Sequence, residues 1–303
     1  MKLSSVLTLL VSSLFAFSTN AQTSLKINAV DDGNGRYAMA MVKLALSKVE
    51  TTYKIEIDNS EISQARNITD VSEGRLDIMW AATNQEMEDQ LQPIRIPLYK
   101  GLLGHRIFII NPASQTKFDR VKTFADLKQI SLGQGTTWAD SAILASNGLN
   151  VVRANKYQSL FYMVEGGRFD AFPRGVHEPW AELESHPNLS LAVEKRIMLV
   201  YRMPFYLFTG KQNKKLAADL ESGLNRAIAD GSFDKTFYSD PMVKAVLEKA
   251  NLEERVVFEL DNPTLPKETP LDRSELWLDI KNMHQPVSVG PAAAPVAETA
   301  PIN

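Results

Sequence analysis

Apolar and polar positions along the first third of the chain switch regularly between the spacing of a strand and that of a helix. Three short runs, at 25–30, 53–57 and 76–81, are apolar or alternate residue by residue, as strands do. The segments between them, 37–49 and 62–72, carry apolar residues at helical spacing. This strand–helix–strand–helix–strand order predicts an open, mostly parallel α/β sheet.

A second series of the same kind begins after residue 112. It ends as the first does, because Gly167-Arg168-Phe169-Asp170 repeats the pattern of Gly74-Arg75-Leu76-Asp77 ahead of an apolar run. Two similar α/β lobes are the simplest explanation, although so short a motif also recurs by chance. The predicted elements here are helices at 124–127, 139–146 and 157–164 and strands at 130–132, 151–152 and 169–172, with later helices at 216–229 and 241–250.

Two long apolar segments, 105–111 and 198–209, have the character of strands that cross from one lobe to the other and back. A pair of crossings makes a hinge and places a ligand cleft between the lobes. The predicted fold class is therefore α/β, with two Rossmann-like lobes joined by two crossover strands. The predicted boundaries are 22–104 and 206–262 for the first lobe, 105–205 for the second and 263–285 for a C-terminal extension.

Composition removes several classes of function. The chain has 303 residues, 33 Lys+Arg against 36 Asp+Glu, and no cysteine. A formal net charge of -3 gives no general reason to expect nucleic acid as a partner. The missing cysteine excludes disulfides, thiolate catalysis and lipid attachment through sulfur. The four histidines have no ligand-like spacing, so we expect no metal and no cofactor, and we expect a monomer.

Both ends of the chain are predicted to lie outside the fold. A basic start, an apolar stretch over 6–17 and small residues up to Ala21 are typical of a cleavable secretory signal, 1–21. The stretch is too short to span a bilayer, which takes about 20 apolar residues. The segment 286–303 is rich in Pro and Ala and is predicted to be a disordered tail. Export without a lipidated cysteine predicts a freely moving periplasmic protein.

One glycine motif suggests a nucleotide site. Gly33-Asn34-Gly35-Arg36-Tyr37-Ala38 fits the loose pattern GxGxxA, and Glu56 and Asp58 follow about twenty residues later, as the ribose contact requires. Asp31 and Asp32 immediately before the motif would repel a pyrophosphate. We therefore favour an ordinary turn.

A second candidate lies between a predicted strand and a predicted helix, at Gly133-Gln134-Gly135-Thr136-Thr137-Trp138. Free amide groups at a helix N-terminus attract a carboxylate or phosphate, and the hydroxyls of Thr136 and Thr137 would add donors. The alternative is that Thr137 only caps the helix.

A third candidate follows the strand that closes the second series, in Phe172-Pro173-Arg174-Gly175-Val176-His177-Glu178-Pro179-Trp180. The carboxyl ends of strands carry ligand groups in such folds, and Arg174 can fork onto a carboxylate or phosphate. The alternative is that Arg174 and Glu178 pair with each other. The chain has no GxSxG, HExxH or P-loop motif, so we predict no catalytic residues and no enzyme.

The order of these motifs resembles bacterial extracellular solute-binding proteins of family 3, the periplasmic binding proteins of polar amino acid uptake. The matching pieces are 74–78, 97–99, 135–137 and 167–171, and the resemblance covers roughly 25–261. It implies the type 2 periplasmic binding protein fold, with a ligand enclosed between the lobes by a hinge motion.

The resemblance also implies a site that differs from that of an amino-acid binder. Such binders hold the ligand carboxylate with an Arg shortly after the third strand, where this chain has no Arg in 82–87. They hold the ammonium with an Asp where this chain has Gly175. We therefore expect a polar or anionic ligand other than a simple α-amino acid. The expected ligand-binding residues are Asp32, Trp80 and Thr83 in the first lobe and Gly135, Thr136, Thr137, Arg174 and Glu178 in the second.

Three function classes follow. A periplasmic binding protein that delivers its ligand to an ABC transporter comes first. A ligand-sensing component of a signalling system, acting with a separate membrane partner, comes second. An enzyme on the same fold, such as a dehydratase, comes third.

Overall fold

The computed structural model describes residues 23–29 and 31–278, so the predicted signal and tail lie outside the described residues. The strands are β1 (Thr23–Asn28), β2 (Tyr53–Asp58), β3 (Ile78–Ala82), β4 (Leu91–Ile94), β5 (His105–Ile110), β6 (Ser131–Gly135), β7 (Asn150–Ala154), β8 (Phe172–Gly175), β9 (Ala192–Val193), β10 (Ile197–Val200), β11 (Phe205–Gly210) and β12 (Val256–Glu259). The helices are α1 (Gly33–Leu46), α2 (Gln64–Ser72), α3 (Gln85–Gln90), α4 (Gln115–Asp119), α5 (Phe124–Leu127), α6 (Ala139–Ser146), α7 (Tyr157–Glu165), α8 (Pro179–Ser185), α9 (Lys214–Ala229), α10 (Ser232–Ser239) and α11 (Pro241–Lys249).

Two main sheets define two lobes. The first sheet has the strand order β2-β1-β3-β11-β4, with β1 parallel to β2 and β3 and with β11 antiparallel to its neighbours. The second sheet has the order β12-β10-β5-β8, and β9 pairs with the end of β5. The parallel pair β6-β7 lies beside β8 through a bridge between Leu132 and Ala171. The predicted two-lobed α/β class is confirmed.

The chain crosses between the lobes in short segments, and the second predicted crossing is not one continuous strand. At the first crossing the chain enters the second lobe at His105, where β5 begins. The predicted second crossing, 198–209, is two strands, because β10 belongs to the second sheet and β11 to the first. The residues 201–204 between them end in Pro204, which has no backbone N–H to continue a ladder.

Two elements lie elsewhere than predicted. The strand predicted at 169–172 begins only at Phe172, although Ala171 forms a single bridge with Leu132. Ahead of it Gly167 has a left-handed φ of 69°, and the Asp170 side chain accepts a hydrogen bond from the Ser131 hydroxyl. The segment 256–259, predicted with the first lobe, pairs along β10 in the second sheet. The chain therefore crosses once more after α11.

Helices α1 and α9 of the first lobe pack against each other with a very short distance between their backbones. Gly223 of α9 faces the backbone of Ala45 in α1, and a methyl group at Gly223 would lie 2.1 Å from the Ala45 carbonyl oxygen. The glycine thus sets the spacing between these two helices.

We expect Gly223→Ala to lower the free energy of unfolding by about 1–3 kcal/mol, because the two helix backbones must separate. The exposed neighbour Glu221→Ala should change it by less than about 0.5 kcal/mol. Urea denaturation of both variants measures the difference, and equal stabilities would show that the helix contact tolerates the extra methyl group.

The C-terminal extension packs against the segment that joins the lobes. Leu276 is buried, and the Trp277 ring covers Gly101 and lies 5.2 Å from the Arg202 guanidinium. The Leu278 amide donates to the Lys100 carbonyl at 2.8 Å.

Among the described residues, no helix combines the length and apolar character needed to cross a membrane.

Candidate functional site

A cavity of about 280 Å³ lies between the lobes at the carboxyl end of the first sheet. It opens into a wider outer cleft of about 1130 Å³, and Asp32, Asn34, Trp138 and Glu178 line both parts. The inner walls come from both lobes and from the first crossing. The polar and aromatic lining residues include Asn28, Asp32, Asn67 and Trp80 from the first lobe, Trp138, Asp140, Arg174 and Glu178 from the second, and Arg106 from β5.

Asp32 ends the loop after β1 and caps α1. Its Oδ1 accepts a hydrogen bond from the Gly35 amide at 2.6 Å. Desolvation by the cleft walls is the main cause of a raised pKa for Asp32, although the side chain is open to the cleft. Its Oδ2 has no hydrogen-bond partner among the described residues. This carboxylate can therefore accept from a ligand.

The GxGxxA motif thus forms the first turn of α1. The Gly35 amide, to which a phosphate of a dinucleotide would bind, already donates its hydrogen bond to the Asp32 carboxylate. Tyr37 and Ala38 of the same motif are buried in the core of the first lobe. The structure favours the capping turn over a nucleotide loop.

The other first-lobe wall residues supply an aromatic face and an unused acceptor. Trp80, in β3, is half-buried at the cavity. The Oδ1 of Asn67, in α2, is buried and has no hydrogen-bond partner among the described residues. A buried acceptor of this kind is expected to meet water or a ligand donor.

Arg174 is held by two carboxylates at the second-lobe wall. It projects from β8, and its Nη2 lies 2.8 Å from Glu178 Oε1 and 2.6 Å from Glu182 Oε1. Only 6 % of the residue is exposed. The structure therefore favours the alternative in which Arg174 pairs with Glu178, and the anion-binding role of Arg174 stays a prediction.

Glu178 makes a direct hydrogen-bonded contact between the lobes. Asn34 of the first lobe donates to its Oε1 at 2.7 Å, and the Gly175 amide donates to its Oε2 at 2.6 Å. Burial alone would raise the pKa of Glu178, but the charges led by Arg174 outweigh it and lower this pKa to about 2. At neutral pH Glu178 is thus ionised, and its hydrogen bond from Asn34 joins the two lobes.

Arg106 is one of the site residues that the sequence patterns missed, with Asn67 and Asp140. Its Nη2 lies 2.8 Å from Asp140 Oδ1, its Nη1 donates to Glu178 at 3.2 Å, and its Nε donates to Tyr201 at 3.2 Å. The residue is 2 % exposed although it is charged. The available signal was an arginine inside the otherwise apolar crossing 105–111, since buried charges are rarely left unpaired.

Three of the predicted residues stand around the outer cleft. Gly135, Thr136 and Thr137 line that part, and the Thr136 hydroxyl donates to Asn155 at 2.7 Å. The helix α6 starts only at Ala139, after Trp138, and has no side-chain cap. The structure therefore does not show the alternative in which Thr137 caps this helix.

Thr83 does not reach the cavity. Its side chain is fully buried, and its hydroxyl donates to Glu88 at 2.7 Å. His177, next to Glu178, is also buried away from the cavity with its ring 3.9 Å from that of Tyr99. Burial lowers the pKa of His177 to about 3, so its imidazole is neutral at pH 7.

These observations define an α/β protein of two lobes with a cavity of mixed polar and apolar lining between them. Solved structures share this architecture. An ancestral arginine-binding protein bound to arginine is 16% identical with a TM-score of 0.54, and the match covers 73% of this chain and 99% of that protein. An amino acid ABC transporter substrate-binding protein of Streptococcus pneumoniae bound to L-arginine is 17% identical with a TM-score of 0.54, over 75% of this chain and 97% of that one.

A third similar structure concerns glutathione import via the cystine ABC importer of Streptococcus mutans. It is 12% identical with a TM-score of 0.56, over 72% of this chain and 95% of that one. No protein-family model and no curated protein matches the chain. The chain has the type 2 periplasmic binding protein fold, as found in family 3 solute-binding proteins.

Proposed function

We propose that this chain is a periplasmic solute-binding protein that encloses a small polar ligand between its lobes and delivers it to an ABC-type transporter. The observation that carries this proposal is the cavity itself. Its walls combine polar and apolar side chains, it is bounded by both lobes, and the lobes are joined by short crossings that allow hinge closure. A volume of about 280 Å³ suits a ligand of metabolite size.

The first lobe offers the groups that are free to meet the ligand. They are the Asp32 carboxylate, the Trp80 indole and the Asn67 amide oxygen. On the opposite wall the two arginines are already paired with acidic side chains, which weakens the case for an anionic ligand. Asp32 and Asn67 instead favour a ligand that donates hydrogen bonds.

Amino acids belong among the candidates. The similar structures are described with arginine, glutamine or glutathione, so they give no support to the expectation that simple α-amino acids are excluded. The missing first-lobe Arg and the glycine at 175 remain the reasons to test other polar classes as well. A sensing role with a membrane partner uses the same cleft and differs only in the partner.

A thermal-shift screen of the mature chain tests the proposal. Amino acids, amines, organic acids, phosphates, short peptides and sugars are added singly. A ligand at 100 times its dissociation constant stabilises the folded state by about 2.7 kcal/mol, which is a rise of roughly 5–10 °C in melting temperature. No shift with any class would contradict a binding function, and turnover of a bound acid would support the enzyme alternative.

We expect Asp32→Asn to weaken the ligand that this screen identifies by about 10-fold or more, because an open carboxylate in the cleft is replaced by a neutral amide. The matched control is Glu50→Gln, an exposed acid beyond the other end of α1. Calorimetric titration of both variants gives the two affinities. Equal affinities would place the ligand away from Asp32.

A further inference from the structure

The guanidinium of Arg174 lies in a cage of aromatic rings. Its central carbon is 5.1 Å from the Trp138 ring centre, 5.5 Å from that of Tyr157 and 4.9 Å from that of Phe172. Aromatic faces at this range attract a cation through their quadrupole. Three such faces around one group are the means by which proteins bind free organic cations.

Two carboxylates complete the cage. Glu182 accepts from Nε of Arg174 at 2.8 and 3.0 Å, and Glu178 accepts from Nη2 at 2.8 Å. The Tyr157 hydroxyl donates to Glu182 at 2.6 Å and holds it in place. Planar, forked hydrogen bonding of this kind selects a guanidinium over an ammonium.

The cage belongs to the wall of the cleft. Arg174 and Trp138 line the inner cavity, and Trp138, Tyr157 and Glu182 line the outer cleft. A small cation that enters the cleft would therefore reach the cage if Arg174 were absent. In the intact chain the arginine fills it from β8.

We propose that the second-lobe wall is a guanidinium-binding site whose occupant is the chain's own Arg174, so that this residue determines specificity by excluding cationic ligands from that wall. The inference rests on the proposed function only in taking the cleft as the ligand site. Removal of the Arg174 side chain converts the wall into a receptor for a free guanidinium compound.

The experiment is rescue of Arg174→Gly by methylguanidinium. The variant removes the guanidinium that pairs with Glu178 and Glu182, and its melting temperature falls by roughly 10 °C. Millimolar methylguanidinium restores several degrees of that loss, whereas methylammonium at the same concentration restores much less. Neither cation changes the melting temperature of the wild-type chain, because the Arg174 side chain already occupies the cage.

A second variant shows whether the cage is responsible. In Arg174→Gly combined with Glu182→Gln, the forked acceptor is lost and rescue by methylguanidinium falls at least several-fold. If Arg174→Gly does not fold alone, the yield of folded protein on refolding with and without methylguanidinium becomes the readout. Recovery only with methylguanidinium supports the proposal.

Three results would overturn the proposal. They are no stabilisation of Arg174→Gly by methylguanidinium, equal stabilisation by methylammonium, and no folding in either refolding condition. All of these measurements use methylguanidinium and need no natural ligand. A failed ligand screen on the wild-type chain would therefore count against the solute-binding function and the specificity role of Arg174, and would leave the guanidinium-binding cage itself standing.

Discussion

Glu178→Gln is expected to lower the free energy of unfolding by about 3–5 kcal/mol, the range seen when one partner of a buried charge network is removed. The carboxylate accepts from Arg174, Arg106, Asn34 and the Gly175 amide. A glutamine keeps the shape but has only one acceptor oxygen. Its NH₂ group must face donors, so at least one of them is left buried without a partner.

The same helix offers a matched control. Glu184, in α8, is exposed and lies outside the inner cavity, so Glu184→Gln should change the free energy of unfolding by less than about 0.5 kcal/mol. Urea denaturation at pH 7 compares both variants with the wild type. A loss below about 1 kcal/mol for Glu178→Gln would show that the network relaxes or that water replaces the lost acceptor.

The order of elements was predictable because it depends on local periodicity. The predicted helix 37–49 corresponds to α1, and the predicted strand 53–57 to β2. The helix buries one face at helical spacing, and β2 half-buries Tyr53 and Ile55 at strand spacing. Strand pairing at long range was less predictable. The segment 256–259 gives no local indication of which sheet it will join, and only the partner β10 decides it.

The site was predictable in its location and only partly in its chemistry. Asp32, Arg174 and Glu178 line the cavity, as their positions at or just after the carboxyl ends of strands suggest. The Thr83 hydroxyl donates to Glu88 and is therefore not available to a ligand. The sequence alone does not show this local hydrogen bond. Arg106 and Asp140 are 34 positions apart and form an ion pair only through the folding of β5 against α6. Charge neutralisation of this kind is a tertiary property.

The stability lost in Glu178→Gln should depend steeply on pH. The pKa of Glu178 is about 2 in the folded chain and its ordinary value is 4.5, so its ionisation stabilises the folded state above pH 4.5. This stabilisation is about 3 kcal/mol and is lost as the pH falls toward 2. A glutamine does not titrate and cannot contribute it.

Glu182 and Asp32 act in the opposite sense. Burial is the main cause of the raised pKa of each, so their stabilising contributions are present below the ordinary pKa and are lost as the pH rises through the raised value. Both residues are present in the wild type and in Glu178→Gln. The Glu178 charge contributes to both raised pKa values, so the difference between the two stability curves contains the Glu178 contribution together with the response of Glu182 and Asp32 to its loss.

We expect the difference in unfolding free energy between wild type and Glu178→Gln to shrink by about 3 kcal/mol between pH 4.5 and pH 2. Urea denaturation at pH 7, 5, 4, 3 and 2 measures it, with Glu184→Gln as the variant whose difference stays near zero. A difference that does not change down to pH 2 would mean that Glu178 titrates alike in the folded and unfolded chain. The Arg174 and Arg106 contacts would then not hold its charge, and the tie between the lobes would have to come from neutral hydrogen bonds.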